Sequence, residues 1–296
     1  MTLRKTVIDY TVILMLLFTV TIIAIPIHTQ NQLISIEIDG GSGNCHFYEG
    51  ENEYGWVWCP SEPVNGEYIS CSCINIGEQH YSIYKLLKNL YNATISIRNS
   101  NIIFNGQNYV IDGSNYRNHG IIISSTSNIV IGNVTVRNFN NAGIYIDQAS
   151  NIDVRYCSLE NNGVGISIGS SIGSVRIFNN NINNNRIGIK ISHSSVTLCL
   201  NNFVNNLNDV SISFDYIAAT WSCQIGDRNV GNFWQSLSNP DDCRAKGDDD
   251  GLCKILDNNN IDFYPFDKML PVPIPEPLII PLIVFITILV LSLRRK

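Results

Sequence analysis

Residues 120–168 read GIIISSTSNIVIGNVTVRNFNNAGIYIDQASNIDVRYCSLENNGVGISI, and one pattern occurs in that stretch three times. The tetrads GIII, GIYI and GISI start at Gly120, Gly143 and Gly165; GIKI follows at Gly188 and DVSI at Asp209, at steps of 23, 22, 23 and 21 residues. A second short run lies inside each period: NIVI from Asn128, NIDV from Asn151, SVRI from Ser174 and SVTL from Ser195. Both are apolar-x-apolar triplets, too short for helices and alternating with the period of a strand. A period of this length is the mark of stacked coils.

The register writes out the interior. Ile121, Ile144, Ile166, Ile189 and Val210 form one inward file, and Ile123, Ile146, Ile168, Ile191 and Ile212 a second. Ile131, Val154, Ile177 and Leu198 form a third, and Val136, Leu159, Ile182 and Phe203 a fourth. Two residues further on stands a column of Asn138, Asn161, Asn184 and Asn205, for which the expectation is a structural ladder of side-chain amides that donate and accept along the stack. The implied fold is all-β, a parallel β-solenoid whose coils pair about 4.8 Å apart and cannot bury their apolar faces singly. Each inward Ile or Val contributes about 1.5–3 kcal/mol by leaving water.

On these repeats the chain resembles the right-handed parallel β-helix family that contains NosD-like proteins and many carbohydrate-acting surface proteins. The resemblance extends past the repeats, through Gly231-Asn-Phe-Trp234, the acidic loop Gly247-Asp-Asp-Asp-Gly-Leu252 and Asp257-Asn-Asn-Asn-Ile-Asp-Phe-Tyr-Pro265. These are similar, in order, to the GNYW element, the Asp/Gly-rich loop and the NNIDxYPL element that end NosD-like solenoids. The loop departs from the family's D-G-D-G alternation. Asp248, Asp249 and Asp250 in a Gly-bounded turn suit Ca²⁺, a hard cation that takes six to eight oxygens. The alternative is a solvated turn closed by a Cys243–Cys253 disulfide.

Composition agrees with one sizeable core: 296 residues, 45% apolar and 15% charged. A net charge of −6, with no basic run outside the two ends, argues against nucleic acid as a partner. Arg4 and Lys5 precede the apolar run 11–25, the order of a secretory signal or signal-anchor that sends the following chain outward. At the other end Pro275-Glu276-Pro277 precedes the apolar residues 278–293 and a terminal Arg294-Arg295-Lys296. That tail resembles a PEP-CTERM or archaeosortase-type sorting signal, which implies a membrane transpeptidase as partner; the plainer reading is a permanent membrane anchor. The expected organisation is a signal segment over 1–30, a Cys-rich module with a capping helix over 31–93, the β-helix over 94–216, a C-terminal cap over 217–270 and a linker with membrane helix over 271–296.

An open solenoid must be capped. Ile83, Leu86, Leu87, Leu90 and Tyr91 share one helical stripe, which predicts a plugging helix over 80–91. Short strands are expected at 33–39, 55–60 and 67–73, and another at 94–97. Nine cysteines suit an exported chain in which disulfides staple the two flanks. Cys157 and Cys199 fall two coils apart at different positions, ~10 Å in this register, so both are expected to be free. Asn92-Ala-Thr94 and Asn133-Val-Thr135 are possible glycan sites.

For chemistry, the outward positions between ladder residues matter. Tyr145 and Lys190 lie in one such column and Asp153 and Arg176 in another, and these four are the candidate ligand-groove residues. A polysaccharide lyase or epimerase would need an acid cluster beside an Arg or Lys base; Asp153 and Arg176, one coil apart, are the spacing of an ordinary cross-strand ion pair. Copper delivery, which the NosD resemblance brings to mind, needs clustered soft or imidazole donors, whereas His28, His46, His80, His119 and His193 are scattered. The reading that remains is an exported, membrane-attached, non-catalytic surface protein with a glycan-binding or envelope-structural role; the alternative is the lyase or epimerase.

Overall fold

Every inward file expected from the repeat lies inside a right-handed parallel β-solenoid. The computed structural model describes residues 34–38, 44–49, 52–58, 69–76, 79–114, 117–171, 173–213, 219–236, 254–255, 261–262, 265 and 269–270. Each coil passes through three strands, which in the coil of Tyr145 are Ala142–Asp147, Ser150–Arg155 and Ser158–Glu160. Stacked coils turn these into three parallel sheets, here called I, II and III, of seven, eight and seven strands. The register is the one the sequence repeats: Ile144 pairs with Ile121 and Ile166, Val154 with Ile131 and Ile177, Leu159 with Val136 and Ile182. Sheet III, with strands of only two or three residues, adds a third short strand to the two that the triplets announced.

The four files are fully buried down the stack, and only in the last coil do Val210 and Ile212 become partly exposed. Residues with left-handed backbone turn the chain between strands. In the coil of Tyr145 they are Gln148 (φ 50°), Asn151 (φ 54°), Tyr156 (φ 55°) and Asn161 (φ 54°). Asn tolerates positive φ better than other L-residues, so the Asn-rich composition is a record of the corners. The glycine file has a different cause. A Cβ on Gly165 would lie 2.5 Å from the Gly188 carbonyl oxygen, and one on Gly143 would lie 2.9 Å from Asn162 Nδ2.

Four expectations need correction. Residues 80–91 form no helix: Gln79–Leu86 is a strand of sheet II and Leu90–Tyr91 a strand of sheet III. Ser82, Tyr84 and Leu86 alternate inward, a period-2 pattern hidden under the helical stripe of leucines. The parallel sheets also begin before residue 94. Ile34–Ile38 pairs in parallel with Ala93–Ile97, and Gln79–Leu86 with Ile102–Asn105. The first coil is therefore interrupted between sheets I and II by the hairpin Asn44–Glu49/Asn52–Trp58 and by Ile69–Ile76, an antiparallel edge strand. The last coil is interrupted likewise, by the hairpin Cys223–Ile225/Arg228–Val230 between Ala219–Thr220 of sheet II and Phe233–Trp234 of sheet III.

Cys199 is not free. That second hairpin returns to its coil and brings Cys223 to a Cα distance of 5.7 Å, where the two are disulfide-bonded; Cys157 is free and buried, as expected. Cys71 belongs to a further disulfide. The last correction concerns Asn138, Asn161, Asn184 and Asn205, which do stack one per coil but make no ladder. All four hold positive φ, between 53° and 60°, and Asn161, Asn184 and Asn205 point to solvent. Both sequon asparagines are also buried corner residues with positive φ, and Asn133 Nδ2 donates to Asn105 Oδ1.

Candidate functional site

Two kinds of polar structure are built on this frame, one inside the corners and one on the outer face of sheet I. The inner one begins one residue after each corner asparagine. Asn162 Oδ1 accepts from Phe139 N (3.1 Å), while Asn162 Nδ2 donates to Val136 O (3.0 Å) and to Asn185 Oδ1 (3.1 Å). Asn185 repeats the arrangement with Leu159 O and Asn206 Oδ1. A second ladder runs Cys157, Asn180, Asn201, Asn232 at the corner between sheets II and III. It ends on Asp262, whose Oδ2 accepts from Asn232 N (2.8 Å), Asn232 Nδ2 (3.2 Å) and Trp234 Nε1 (2.9 Å) with no exposure to solvent.

The described residues of the end signature thereby have a structural role. Asn232 continues the ladder, Trp234 stacks on Phe203 at 4.1 Å, and Asp262 supplies the acceptor that the next coil would have supplied. Sequence reading placed the ladder one residue too early, although the doublets Asn161-Asn162, Asn184-Asn185 and Asn205-Asn206 carry the signal.

The outer site lies on sheet I. Tyr145 is flanked in its column by Ile122 and Ser167, with Lys190 one coil beyond Ser167. The His119 ring packs on Tyr145 with centroids 4.8 Å apart, and Asn141 Nδ2 lies 3.3 Å from His119 Nε2. Thr94 Oγ1 donates to His119 O at 2.8 Å, which fixes the strand start that carries the imidazole. Burial holds the His119 pKa below its ordinary value, and His119 Nδ1 is buried without a hydrogen-bond partner. Burial and, after it, the Asp147 carboxylate raise the Tyr145 hydroxyl above its usual range. The result is a half-buried aromatic platform with amides, hydroxyls and one exposed ammonium around it.

The four groove candidates do not converge. Tyr145 and Lys190 share the face of sheet I, whereas Asp153 and Arg176 are on sheet II. There Arg176 Nε and Nη2 each lie 2.6 Å from an Asp153 oxygen, a two-pronged pair that raises the Arg176 pKa through the hydrogen bond to Asp153. This pair satisfies itself and offers no base. His119 and Asn141, which join Tyr145, carried no sequence signal beyond position, because a lone His in an Asn-rich chain has no pattern. Asp248, Asp249, Asp250, Cys243, Cys253, Pro275, Glu276, Pro277 and both apolar end segments lie outside the described residues. Among the described residues no helix is long and apolar enough to cross a membrane.

A family model described as NosD, periplasmic copper-binding protein, matches residues 61–239, more than half of the chain. No curated protein and no solved structure matches.

Proposed function

The chain belongs to the NosD family, and from that premise we propose that it is an exported, membrane-attached β-helix protein that binds surface glycans through the outer face of sheet I. The observation that carries this reading is the Tyr145–His119 platform. An aromatic face held by a neighbouring ring is preorganised to take the apolar face of a sugar, and Asn141, Ser167 and the Tyr145 hydroxyl are placed to bond its hydroxyls. Attachment would come from the apolar segments at the two ends. The envelope-structural alternative uses the same rod without a ligand.

A glycan array of envelope polysaccharides probed with the full chain tests the reading. Retention that falls at least tenfold in Tyr145→Ala, with unchanged thermal unfolding, supports it. An array with no retained glycan, or a Tyr145→Ala protein that binds as well as the parent, overturns it. A lyase would instead release unsaturated products that absorb in the ultraviolet.

Copper, named in the family description, does not fit the described residues. It favours clustered imidazole, thiolate or thioether donors, and no three His, Cys, Asp or Glu side chains among the described residues converge. Burial pushes the Cys157 thiol up to about 12, so it is no thiolate, and Cys71, Cys199 and Cys223 are held in disulfides.

A further inference from the structure

We propose that the chain after Leu270 continues as a strap over the outer face of sheet III, with the Val272 amide donating to Asn181 Oδ1. This neither uses nor needs the glycan reading of sheet I. The column Thr135, Ser158, Asn181, Asn202 faces outward on sheet III, one residue per coil. Asn202 is nonetheless only 1% exposed, because a distant part of the chain bonds to it. Leu270 N donates to Asn202 Oδ1 at 2.9 Å, and Asn202 Nδ2 donates to Leu270 O at 3.1 Å. The side-chain amide thus takes the part of a neighbouring strand.

Two observations carry the strap onward. Asp262 is bonded to Asn232 and Trp234 of the last coil and Leu270 to Asn202 one coil earlier, so the chain is travelling back along the stack and Asn181 is the next member of the column. Asn181 Oδ1 is buried and has no hydrogen-bond partner among the described residues, and it is the atom that in Asn202 accepts the Leu270 amide. A buried acceptor is costly unless a donor meets it. The sequence supplies that donor. Leu270-Pro-Val-Pro-Ile-Pro-Glu-Pro277 alternates proline with residues that carry an N–H, so Val272 is the first amide after Leu270. Pro271 and Pro273 hold Leu270 and Val272 extended, which carries Val272 ~6 Å past Leu270, close to the coil rise of ~4.8 Å. Ile274 then falls ~3 Å out of step with Ser158, so one bond of this kind is expected and no second. The apolar run 278–293 therefore leaves from the side of the solenoid, by sheet III, and not from its end.

Hydrogen exchange of the full chain in detergent micelles tests the strap, because residues 271–277 have only the amides of Val272, Ile274 and Glu276. Val272 should exchange at least tenfold more slowly than an unstructured amide, with Ile274 and Glu276 at the unstructured rate. Asn181→Ala should erase the protection of Val272 while Leu270 and the strand around Ile182 keep theirs. An unprotected Val272 in the parent, or a slow Val272 in Asn181→Ala, overturns the strap. A diazirine-bearing residue in place of Val272 gives a second reading that alters no residue of the solenoid. Irradiation should join position 272 to sheet III near Asn181; adducts on another sheet, or on detergent alone, overturn the proposal. A glycan array without a hit changes neither readout, so the strap and the glycan face fail separately.

Discussion

Neighbouring residues at the corners of this solenoid do opposite work. Asn184, at a corner, holds φ at 55° and turns its side chain to solvent, where its Nδ2 donates to the neighbouring Asn183 Oδ1. Asn185, the next residue, is buried and ties three coils together through Leu159 O, Asn206 Oδ1 and Asn162. The same division holds between Asn161 and Asn162 and between Asn179 and Asn180. The corner position needs a backbone that tolerates the left-handed region, whereas the following position needs a side chain that both donates and accepts. Identical residues in sequence therefore answer to unrelated constraints, and substitution separates them.

The largest effect is expected in the buried ladder. Asn201 Oδ1 accepts from Asn180 N and Nδ2, and Asn201 Nδ2 donates to Ile177 O at 2.8 Å and to Asn232 Oδ1 at 2.9 Å. Asn201→Ala leaves the Asn180 N–H and the Ile177 carbonyl buried without partners, at about 1–3 kcal/mol each. Urea unfolding should show a loss of about 3–5 kcal/mol. A loss under 1 kcal/mol would mean that the corner, and not the ladder, carries the stability. Gly165→Ala comes next. Its Cβ would press on the Gly188 carbonyl of the following coil, an overpacking cost of about 1–3 kcal/mol that the same titration reads.

Corner substitutions should be milder and should depend on backbone freedom alone. Asn184→Ala is expected to cost about 1 kcal/mol, because alanine lacks the short polar side chain that lets asparagine hydrogen-bond locally in the left-handed region. Asn184→Gly should stay within about 0.5 kcal/mol of the parent. At Asn201 the two replacements should be equally damaging, because there the amide matters and φ does not. A glycine that rescued position 201, or failed at 184, would break the division between the two files.

The same contrast explains what could be read from the sequence. Strand register was legible because every Ile or Val of a file sits one period from the next, and burial depends only on that alternation. The corner asparagines were visible as a column, but a side chain's role follows from which way φ turns it, and identity does not show that. Residues 80–91 misled because Ile83, Leu86, Leu87, Leu90 and Tyr91 satisfy a helical stripe, while the inward set Ser82, Tyr84, Leu86 includes a polar residue that breaks the strand pattern. Cys199 escaped because its partner arrives through an inserted hairpin that the repeat does not contain. On the outer face Tyr145 and Lys190 were legible from column position; His119 opens its strand opposite Ala142, outside the repeated triplets, so only coordinates place its ring against Tyr145.

The smallest effect at neutral pH, and the sharpest test of the ladder, is at Cys157, which heads the file of Asn180, Asn201 and Asn232. Its thiol occupies the place of the ladder amide: Sγ lies 3.2 Å from Arg155 O and 3.9 Å from Ile131 O, as Asn180 Nδ2 lies 3.1 Å from Phe178 O and 2.9 Å from Val154 O. Cys157→Asn should therefore be accepted within about 1 kcal/mol, since it replaces a weak donor with a strong one and gives the Val134 backbone, which already bonds the sulfur, a stronger acceptor. Burial raises the folded-state thiol from 9.0 to about 12, so between those values the unfolded chain has lost a proton that the folded chain keeps. Parent stability must then fall as pH rises above 9, with a slope approaching 1.4 kcal/mol per pH unit from this group. Cys157→Asn lacks that term, and its unfolding midpoint should overtake the parent's above pH 9 by a margin that widens with pH. Parallel curves from pH 8 to 10.5 would show that the thiol is not held in the ladder's place.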